Sequence, residues 1–314
     1  MCIIRPFSFL SCLIFNLKYN LDMNYNIKNG MLHLMIDKET NLAELLESLC
    51  ISRKNRYLLT SEHKLLLNGE TVKNTDVTMV RNDRLSFAID QYEPDYRPDD
   101  KECTVVWEDE LLYIVSKPAG IIVHDEHDSL ANQAARYLIN HDIKAPVRYI
   151  HRLDRETSGL IMFCKIPLFQ AYFDKQLEER KITRTYLAIA KGKGKAHQKY
   201  TFNENIGADR HNSNLYRVSK TGKRAITKAE ILEVKDDMLL MKCRLLTGRT
   251  HQIRVHLSYH GFPILNDALY GVPSSKIRNM GLWAYQLEFV HPFTHKKITV
   301  RDNDNPDFRM FAER

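Results

Sequence analysis

The chain has 314 residues, which is too long for one small hydrophobic core and suits two domains, one of them small. Its apolar content of 44% and charged content of 27% are ordinary for a soluble globular protein, so composition excludes the extremes that mark fibrous or disordered chains. The formal charge of +7 favours a polyanionic partner, although many basic proteins bind no anion.

The cysteines are isolated from one another, without a Cys-x-x-Cys pair. Disulfide frameworks and metal sites need close or regular spacing, and the cysteine pattern offers neither. We therefore predict cysteines that pack as small apolar residues, in a reduced, cytoplasmic protein. The six are Cys2, Cys12, Cys50, Cys103, Cys164 and Cys243.

Residues 1–24 are predicted to form a tail. The stretch from Ile3 to Leu17 is apolar and superficially resembles a signal peptide, but Arg5-Pro6 interrupts it and no small-residue cleavage site follows. The stretch is also too short to span a bilayer. A start-site extension or a frayed end is the favoured interpretation, and a membrane anchor is the alternative.

Residues 25–90 are predicted to form a small α/β module. Apolar residues at helical spacing predict a helix from Asn41 to Leu49, with Asn41 as its cap. A second helix is predicted from Ser52 to Leu59. The Asn68-Gly69 pair then predicts a hairpin, and a strand from Leu85 to Ile89 closes the module. Three basic residues fall within two turns of the second helix, at Arg53, Lys54 and Arg56.

Residues 91–103 are predicted to be a linker. The stretch from Gln91 to Glu102 is rich in acidic residues and contains Pro94 and Pro98. Because such a stretch cannot build a core, we expect it to join the module to a second domain.

Residues 104–314 are predicted to form an α+β domain with a mainly antiparallel central sheet and flanking helices. Ser129, Pro167 and Thr250 each begin a predicted helix, and Gly261 ends the last one. Hairpins are expected where short turns such as Asp236-Asp237 separate two apolar stretches. The predicted strands cover residues 104–107, 111–116, 181–190, 224–234, 238–246, 282–289 and 297–300.

The segment His151-Arg152-Leu153-Asp154-Arg155 places a carboxylate between two arginines, on a turn closed by Thr157-Ser158-Gly159 before a strand. Nearby positive charge favours the ionised carboxylate, which can then act as a nucleophile or stabilise a developing charge. A surface ion pair is the alternative interpretation of the same residues.

Two later segments also concentrate functional groups. Tyr186 lies on a predicted strand and shares a face with Arg184, which is also the pattern of an ordinary half-buried strand. Leu246 to Leu257 brings two arginines and two histidines to a turn entering a helix, where they could bind phosphate or orient a carboxylate. A solvated basic helix is the alternative there.

These segments resemble those of the RluA-type pseudouridine synthases. HRLDRETSGL, at residues 151–160, is similar to the family signature HRLD-x-x-TSG, which surrounds the catalytic aspartate. Residues 248–256, GRTHQIRVH, and residues 117–124, KPAGIIVH, resemble two further family segments. The resemblance covers Val105 to Val300, and it implies the pseudouridine synthase fold. Residues 41–89 resemble an S4 RNA-binding module more weakly.

The resemblance implies a role for individual residues. Asp154 is expected to attack or stabilise the ribose or base while the glycosidic bond breaks. Tyr186 is expected to pack on the target base and to help remove a proton, and Arg254 to pair with Asp154. Arg152 is expected to fill the gap that the flipped uridine leaves, and Lys117 to have an architectural role or to contact phosphate. The expected RNA-binding residues are His151, Arg152, Lys117, Arg249 and His251, with Arg53, Lys54 and Arg56 in the module.

Isomerisation of uridine involves no electron transfer and no net hydrolysis, so no cofactor or metal is expected. RNA is the expected partner, with no membrane and no obligate protein partner. Large-subunit ribosomal RNA is favoured, since a small RNA-binding domain before the synthase domain resembles that branch of the family, and tRNA is the alternative.

Two competing interpretations remain at this point. A metal-dependent phosphohydrolase is suggested by His124-Asp125, His127-Asp128 and His141-Asp142, although nothing in their spacing makes them converge. The second is an inactive RNA-binding protein on the synthase fold, against which the presence of Asp154 and its two expected partners argues.

Overall fold

The structure is a computed structural model, and it describes residues 23–212 and 214–311. Residues 1–22, nearly all of the predicted tail, lie outside the described residues. Among the described residues, no helix is both long and apolar enough to cross a membrane.

The N-terminal part is built on a five-stranded antiparallel sheet, in the order β1-β2-β7-β4-β5. Both predicted helices are present. Asn41 is the predicted cap of the first, and its Oδ1 accepts the amide of Ala43 at 2.9 Å. Ser52, predicted as the first residue of the second helix, is its N-cap instead, and its Oγ accepts the amide of Asn55 at 3.2 Å. The elements are β1 (Tyr25–Lys28), β2 (Met31–Met35), β3 (Thr40–Asn41), α1 (Leu42–Ser48), α2 (Arg53–Ser61), β4 (Leu65–Leu67), β5 (Glu70–Thr71), β6 (Thr78–Met79) and β7 (Arg84–Ala88).

The β1–β2 hairpin was not predicted, although a signal for it exists. Asn29 and Gly30 connect the two strands with φ of 52° and 71°, the left-handed backbone of a two-residue hairpin turn. Asn-Gly between short alternating stretches is the same pattern that located the second hairpin at Asn68-Gly69.

The C-terminal part is an α+β domain around a nine-stranded sheet, in the order β12-β15-β16-β11-β17-β10-β9-β8, with β18 paired to β17. Only β10 and β17 pair in parallel among the described strands, so the predicted mainly antiparallel sheet is confirmed. Strands β12 to β14 were not predicted. The elements are β8 (Thr104–Glu108), β9 (Leu112–Lys117), α3 (Leu130–Asn140), β10 (Ser158–Cys164), α4 (Gln170–Glu178), β11 (Thr183–Lys191), β12 (Lys199–Phe202), β13 (Ile206–Ala208), β14 (Tyr216–Val218), β15 (Thr227–Lys235), β16 (Met238–Leu245), α5 (Gln252–Tyr259), β17 (Leu282–Val290) and β18 (Lys297–Arg301).

The two parts share one hydrophobic core. One apolar cluster contains residues of the N-terminal sheet together with residues of the large sheet and α4. Phe87 packs edge-on against Phe169 with ring centroids 6.0 Å apart, and the ring of Tyr25 stacks on His291 at 5.0 Å. The N-terminal part is therefore packed onto the larger domain through apolar side chains.

The predicted linker also lies against the larger domain. Residues 91–103 contain no helix or strand, as expected. Asp95 Oδ1 nevertheless accepts the amide of Val147 at 2.9 Å, and the carbonyl of Arg97 accepts a hydrogen bond from Asn132 Nδ2 at 2.7 Å. These bonds hold the connection against α3 and against the segment that follows it.

Three cysteines confirm the expected apolar role. Cys103, Cys164 and Cys243 are buried, and burial raises the pKa of each thiol to about 12. A thiol with so high a pKa stays protonated and unreactive at neutral pH.

Candidate active site

Asp154 lies on the loop that precedes β10, at the point where β10 meets β17. The amide of Thr157 donates to the carbonyl of Asp154 at 3.1 Å and closes the predicted turn. Gly159 follows with φ of +109°, and a Cβ atom there would lie 2.4 Å from the carbonyl oxygen of Ala284 on β17. The glycine therefore permits the close parallel pairing that places Asp154 at the end of the sheet.

Arg254 joins Asp154 to a second carboxylate, that of Asp267. Its Nη1 donates to Asp154 Oδ2 at 3.1 Å, while Nε and Nη2 donate to the two oxygens of Asp267 at 2.7 and 2.8 Å. Burial alone would raise the pKa of Asp267, but the bonds and charge of Arg254 hold that pKa below its usual value. This bidentate buried pair fixes the guanidinium so that Nη1 faces Asp154.

Asp267 is the functional residue that sequence reasoning missed. The signal that could have found it is charge balance, because a buried arginine needs more than one carboxylate oxygen to satisfy its donors. Asp267 also accepts the amides of Leu269 and Tyr270, at 3.0 and 3.1 Å.

Tyr186 lies on β11 and borders the same cleft as Asp154, as the resemblance implied. Its side chain is only 4% exposed. Burial raises the pKa of Tyr186, and Asp154 adds to this effect while Arg184 opposes it. The protonated phenol is therefore its resting form, with a cation close enough to favour loss of the proton.

The cleft has a volume of about 1080 Å³ and brings Asp154, Tyr186 and Arg254 together. Its arginines outnumber its carboxylates, which suits a phosphate-bearing ligand. The arginines that border it are Arg152, Arg180, Arg184, Arg249 and Arg254, and the carboxylates are Asp154, Asp174 and Glu178.

The predicted RNA-binding residues of the cleft fall into exposed and buried groups. Arg152 and Arg249 are exposed at the cleft, and Arg249 Nε donates to the carbonyl of Arg224 at 3.0 Å. His151 is 5% exposed, and both its ring nitrogens are buried without a hydrogen-bond partner among the described residues. Burial, followed by the charge of Arg184, lowers the pKa of His151 to about 3. A neutral, buried imidazole does not fit an ionic contact with RNA.

Lys117 does not fit the predicted phosphate contact either. Its side chain is fully buried, and its Nζ donates to the carbonyls of Pro118, Ile121 and Arg155 at 2.8, 2.8 and 2.9 Å. All three ammonium protons are thus used inside the protein. The bond to Arg155 ties the loop of Asp154 to the KPAG turn, which is the architectural alternative for this residue.

The basic residues of α2 lie outside the cleft. Arg53 and Lys54 are exposed, whereas Arg56 is half-buried and its Nε donates to the carbonyl of Ile51 at 2.8 Å. Tyr57 beside them is 69% exposed. The exposed surface of α2 therefore carries the positive charges of Arg53 and Lys54 and the aromatic ring of Tyr57.

The histidine–aspartate pairs of the rival metal interpretation are not brought together. In the part of the chain that the structure describes, no group of three or more His, Cys, Asp or Glu side chains could hold a metal ion. His124 instead stacks on Tyr149 with centroids 5.2 Å apart, and His141 lies against Tyr137 at 4.3 Å.

Comparison with known proteins finds relatives of this chain. Residues 111–259 match the family model described as RNA pseudouridylate synthase. The Bacillus subtilis protein named Uncharacterized RNA pseudouridine synthase YhcT is 38% identical over 248 residues, covering 76% of this chain and 81% of its own length. Ribosomal large subunit pseudouridine synthase D of Vibrio parahaemolyticus is 30% identical over 291 residues, covering 87% and 88%.

A solved structure shows the same fold. Human RNA Pseudouridylate Synthase Domain Containing 1 superposes with a TM-score of 0.56 at 23% identity, over 66% of this chain and 86% of the other. Together with the sequence relatives, the fold and the cleft define an isomerase that acts on RNA. The chain belongs to the RNA pseudouridine synthase family, as the RluA-type segments implied.

Proposed function

We propose that the chain converts uridines of large-subunit ribosomal RNA to pseudouridine, with Asp154 as the catalytic carboxylate. The observation that supports the role of Asp154 is its bond to the doubly anchored Arg254 at the edge of an arginine-rich cleft. The choice of ribosomal RNA is supported by the Vibrio relative, whose name assigns it to the large ribosomal subunit and which matches most of the chain.

The reaction breaks the bond between C1′ of the ribose and N1 of uracil, turns the base, and forms a bond between C1′ and C5. The proton on C5 leaves, and N1 gains one, so atoms and charge balance without an external reactant. The enzyme must stabilise the ribose or base while the two are separated and must accept the C5 proton.

Three residues supply these functions. Asp154 provides the anionic oxygen that attacks or stabilises the separated ribose or base. Arg254 orients that carboxylate through its bond to Oδ2. Tyr186 offers a ring for packing on uracil and a hydroxyl to take part in removal of the C5 proton, with Arg184 favouring its ionised form.

The target base must leave its stack before it can reach Asp154. Extruding a base costs a few kcal/mol, which a wedge and an aromatic pocket offset. Arg152 is exposed at the cleft two residues before Asp154, a position suited to fill the vacated space. Arg249 is also exposed at the cleft, which supports a contact with the RNA backbone. The exposed Arg53 and Lys54 extend this contact to the N-terminal module, in the S4-like role, with Arg56 supporting the helix.

The test of the target is pseudouridine mapping of total RNA from cells with and without the gene. Loss of pseudouridine at sites in large-subunit ribosomal RNA, restored by the wild-type gene and not by Asp154→Asn, is the expected result. Loss confined to tRNA would overturn the choice of target and leave the chemistry intact.

A further inference from the structure

His251 is the second side chain that approaches the carboxylate of Asp154. Its Nε2 lies 3.8 Å from Asp154 Oδ2, and the imidazole is mostly buried, with 15% of its side chain exposed. Its backbone has φ of 55° and ψ of 21°, the left-handed conformation, immediately before α5. A histidine in this conformation is strained unless its surroundings hold it, and such strain is characteristic of functional sites.

Tyr270 connects His251 to the rest of the site. Its hydroxyl lies 2.9 Å from His251 Nδ1, and the same oxygen accepts the amide of Tyr216 at 2.8 Å. The ring of Tyr270 lies under the guanidinium of Arg254, 5.2 Å from the ring centre to Cζ. Tyr270 thus contacts both residues that approach Asp154 Oδ2.

The bonding of Tyr270 favours one tautomer of His251. Since the phenol oxygen already accepts from Tyr216, its own hydrogen has one acceptor among the described residues, Nδ1 of His251. A neutral imidazole that accepts at Nδ1 must carry its hydrogen on Nε2, directed at Asp154. The opposite tautomer would leave the phenol hydrogen without that acceptor and would point a lone pair at a carboxylate.

The imidazole is also held neutral. Burial lowers the pKa of His251, and Arg254 adds to this effect, against the opposing charges of Asp154 and Asp267. One hydrogen is therefore available, and donation from the Tyr270 hydroxyl to Nδ1 would leave it on Nε2.

We propose that His251 is a positioning residue for Asp154, and that Tyr270 fixes the imidazole as the Nε2–H tautomer. The inference rests on the proposed role of Asp154. Arg254 then donates to Oδ2, and the Nε2–H of His251 faces the same oxygen from 3.8 Å, while Oδ1 has no hydrogen-bond partner among the described residues. Oδ1 is therefore the oxygen that faces the ribose or base. We expect the 3.8 Å separation to shorten when RNA fills the cleft, as hydrogen bonds at active sites commonly do.

The tautomer can be measured on the full-length protein without any substrate. Imidazole nitrogen chemical shifts from two-dimensional NMR distinguish a protonated from an unprotonated ring nitrogen, with His251→Asn providing the assignment. We expect hydrogen on Nε2 alone at neutral pH. Hydrogen on Nδ1, or on both nitrogens, would overturn the inference while leaving the proposed function untouched.

A double-mutant cycle separates positioning from support of the fold. Tyr270→Phe keeps the ring under Arg254 and removes only the hydroxyl. We expect it to slow single-turnover conversion of tritium-labelled RNA at saturating enzyme by about tenfold or more, the value of one charge-assisted hydrogen bond. In His251→Gln, the amide nitrogen of glutamine stands at the position of Nε2 and carries hydrogen whatever Tyr270 donates. In that background Tyr270→Phe should therefore reduce the single-turnover rate much less. Equal losses in both backgrounds would make Tyr270 purely structural and would overturn the inference.

Asparagine and glutamine at position 251 test whether the hydrogen-bond donor must lie at the position of Nε2. Asparagine tolerates the left-handed backbone of residue 251, but its amide nitrogen replaces Nδ1 and does not approach Asp154. His251→Asn should therefore lose more turnover than His251→Gln, with equal RNA binding. The reverse order in folded proteins would contradict a donor at Nε2.

Discussion

Phe87 of the N-terminal module packs edge-on against Phe169 of the larger domain, with ring centroids 6.0 Å apart, inside one apolar cluster. Both side chains are at most 1% exposed. The N-terminal module and the larger domain therefore share one hydrophobic core. Deleting residues 1–100 would expose this core to solvent. We expect such a truncation to destabilise the protein, so a loss of RNA binding in the truncated chain would not by itself show that the module contacts RNA.

Phe87→Ala should destabilise the whole protein, by about 3–5 kcal/mol for a buried phenylalanine. We expect one cooperative denaturant transition, observed at the same midpoint by fluorescence and by circular dichroism, shifted to lower denaturant. Tyr57→Ala in the same module is the matched control, because Tyr57 is 69% exposed and should change stability little. Two separate transitions would mean that the module unfolds by itself.

Asp267→Asn should impair turnover by about 100-fold or more, since a displacement of catalytic groups by about 1 Å has that effect. It should also lower the free energy of unfolding, because one partner of a buried ion pair is removed. The control is Asp302→Asn: Asp302 is a buried carboxylate that accepts from Ser116 and Trp283. The two variants are compared in turnover and in free energy of unfolding. If Asp302→Asn loses as much stability as Asp267→Asn and slows the reaction equally, Asp267 has no specific role in catalysis.

Much of this site was predictable from the sequence, because its main residues lie within short, recognisable segments of the chain. Asp154, Tyr186 and Arg254 lie in segments whose order of residue types is highly specific, and the structure brings them to one cleft. The burial of Lys117 was not predictable, because a lysine on a strand end looks the same whether its ammonium meets phosphate or carbonyl oxygens. Contacts between distant segments, such as Arg254 with Asp267, depend on how the sheet is assembled and leave no periodic pattern.

Tyr186→Phe should reduce turnover severely while RNA affinity is retained, because the ring is kept and only the hydroxyl is lost. Tyr113→Phe provides a matched control, since the Tyr113 hydroxyl is fully buried in another part of the core and has no hydrogen-bond partner in the part of the chain that the structure describes. Single-turnover rates and binding isotherms on the same RNA give both quantities. Near-normal turnover in Tyr186→Phe would confine that residue to packing on the base.

Replacing Arg53 and Lys54 together by glutamine should weaken the salt dependence of RNA binding. Each phosphate contact contributes roughly 0.7 to 0.9 to the log–log slope, so the double variant should lose about 1.5. A variant with Lys276→Gln and Arg309→Gln removes the same charge from exposed residues that pair with Asp236 and Asp304. An unchanged slope in the first variant, or an equal change in both, would remove the module from the RNA interface.

The most direct test of the central claim is the rate of tritium release from RNA labelled at C5 of uridine, measured for wild type and Asp154→Asn. Asparagine is nearly isosteric and can still accept a hydrogen bond from Arg254, but it has no anionic oxygen. We predict that the variant folds and binds RNA as wild type does and releases no tritium above background. Turnover within about tenfold of wild type, which is only 1.4 kcal/mol of transition-state stabilisation, would contradict the assignment of Asp154 as the catalytic residue.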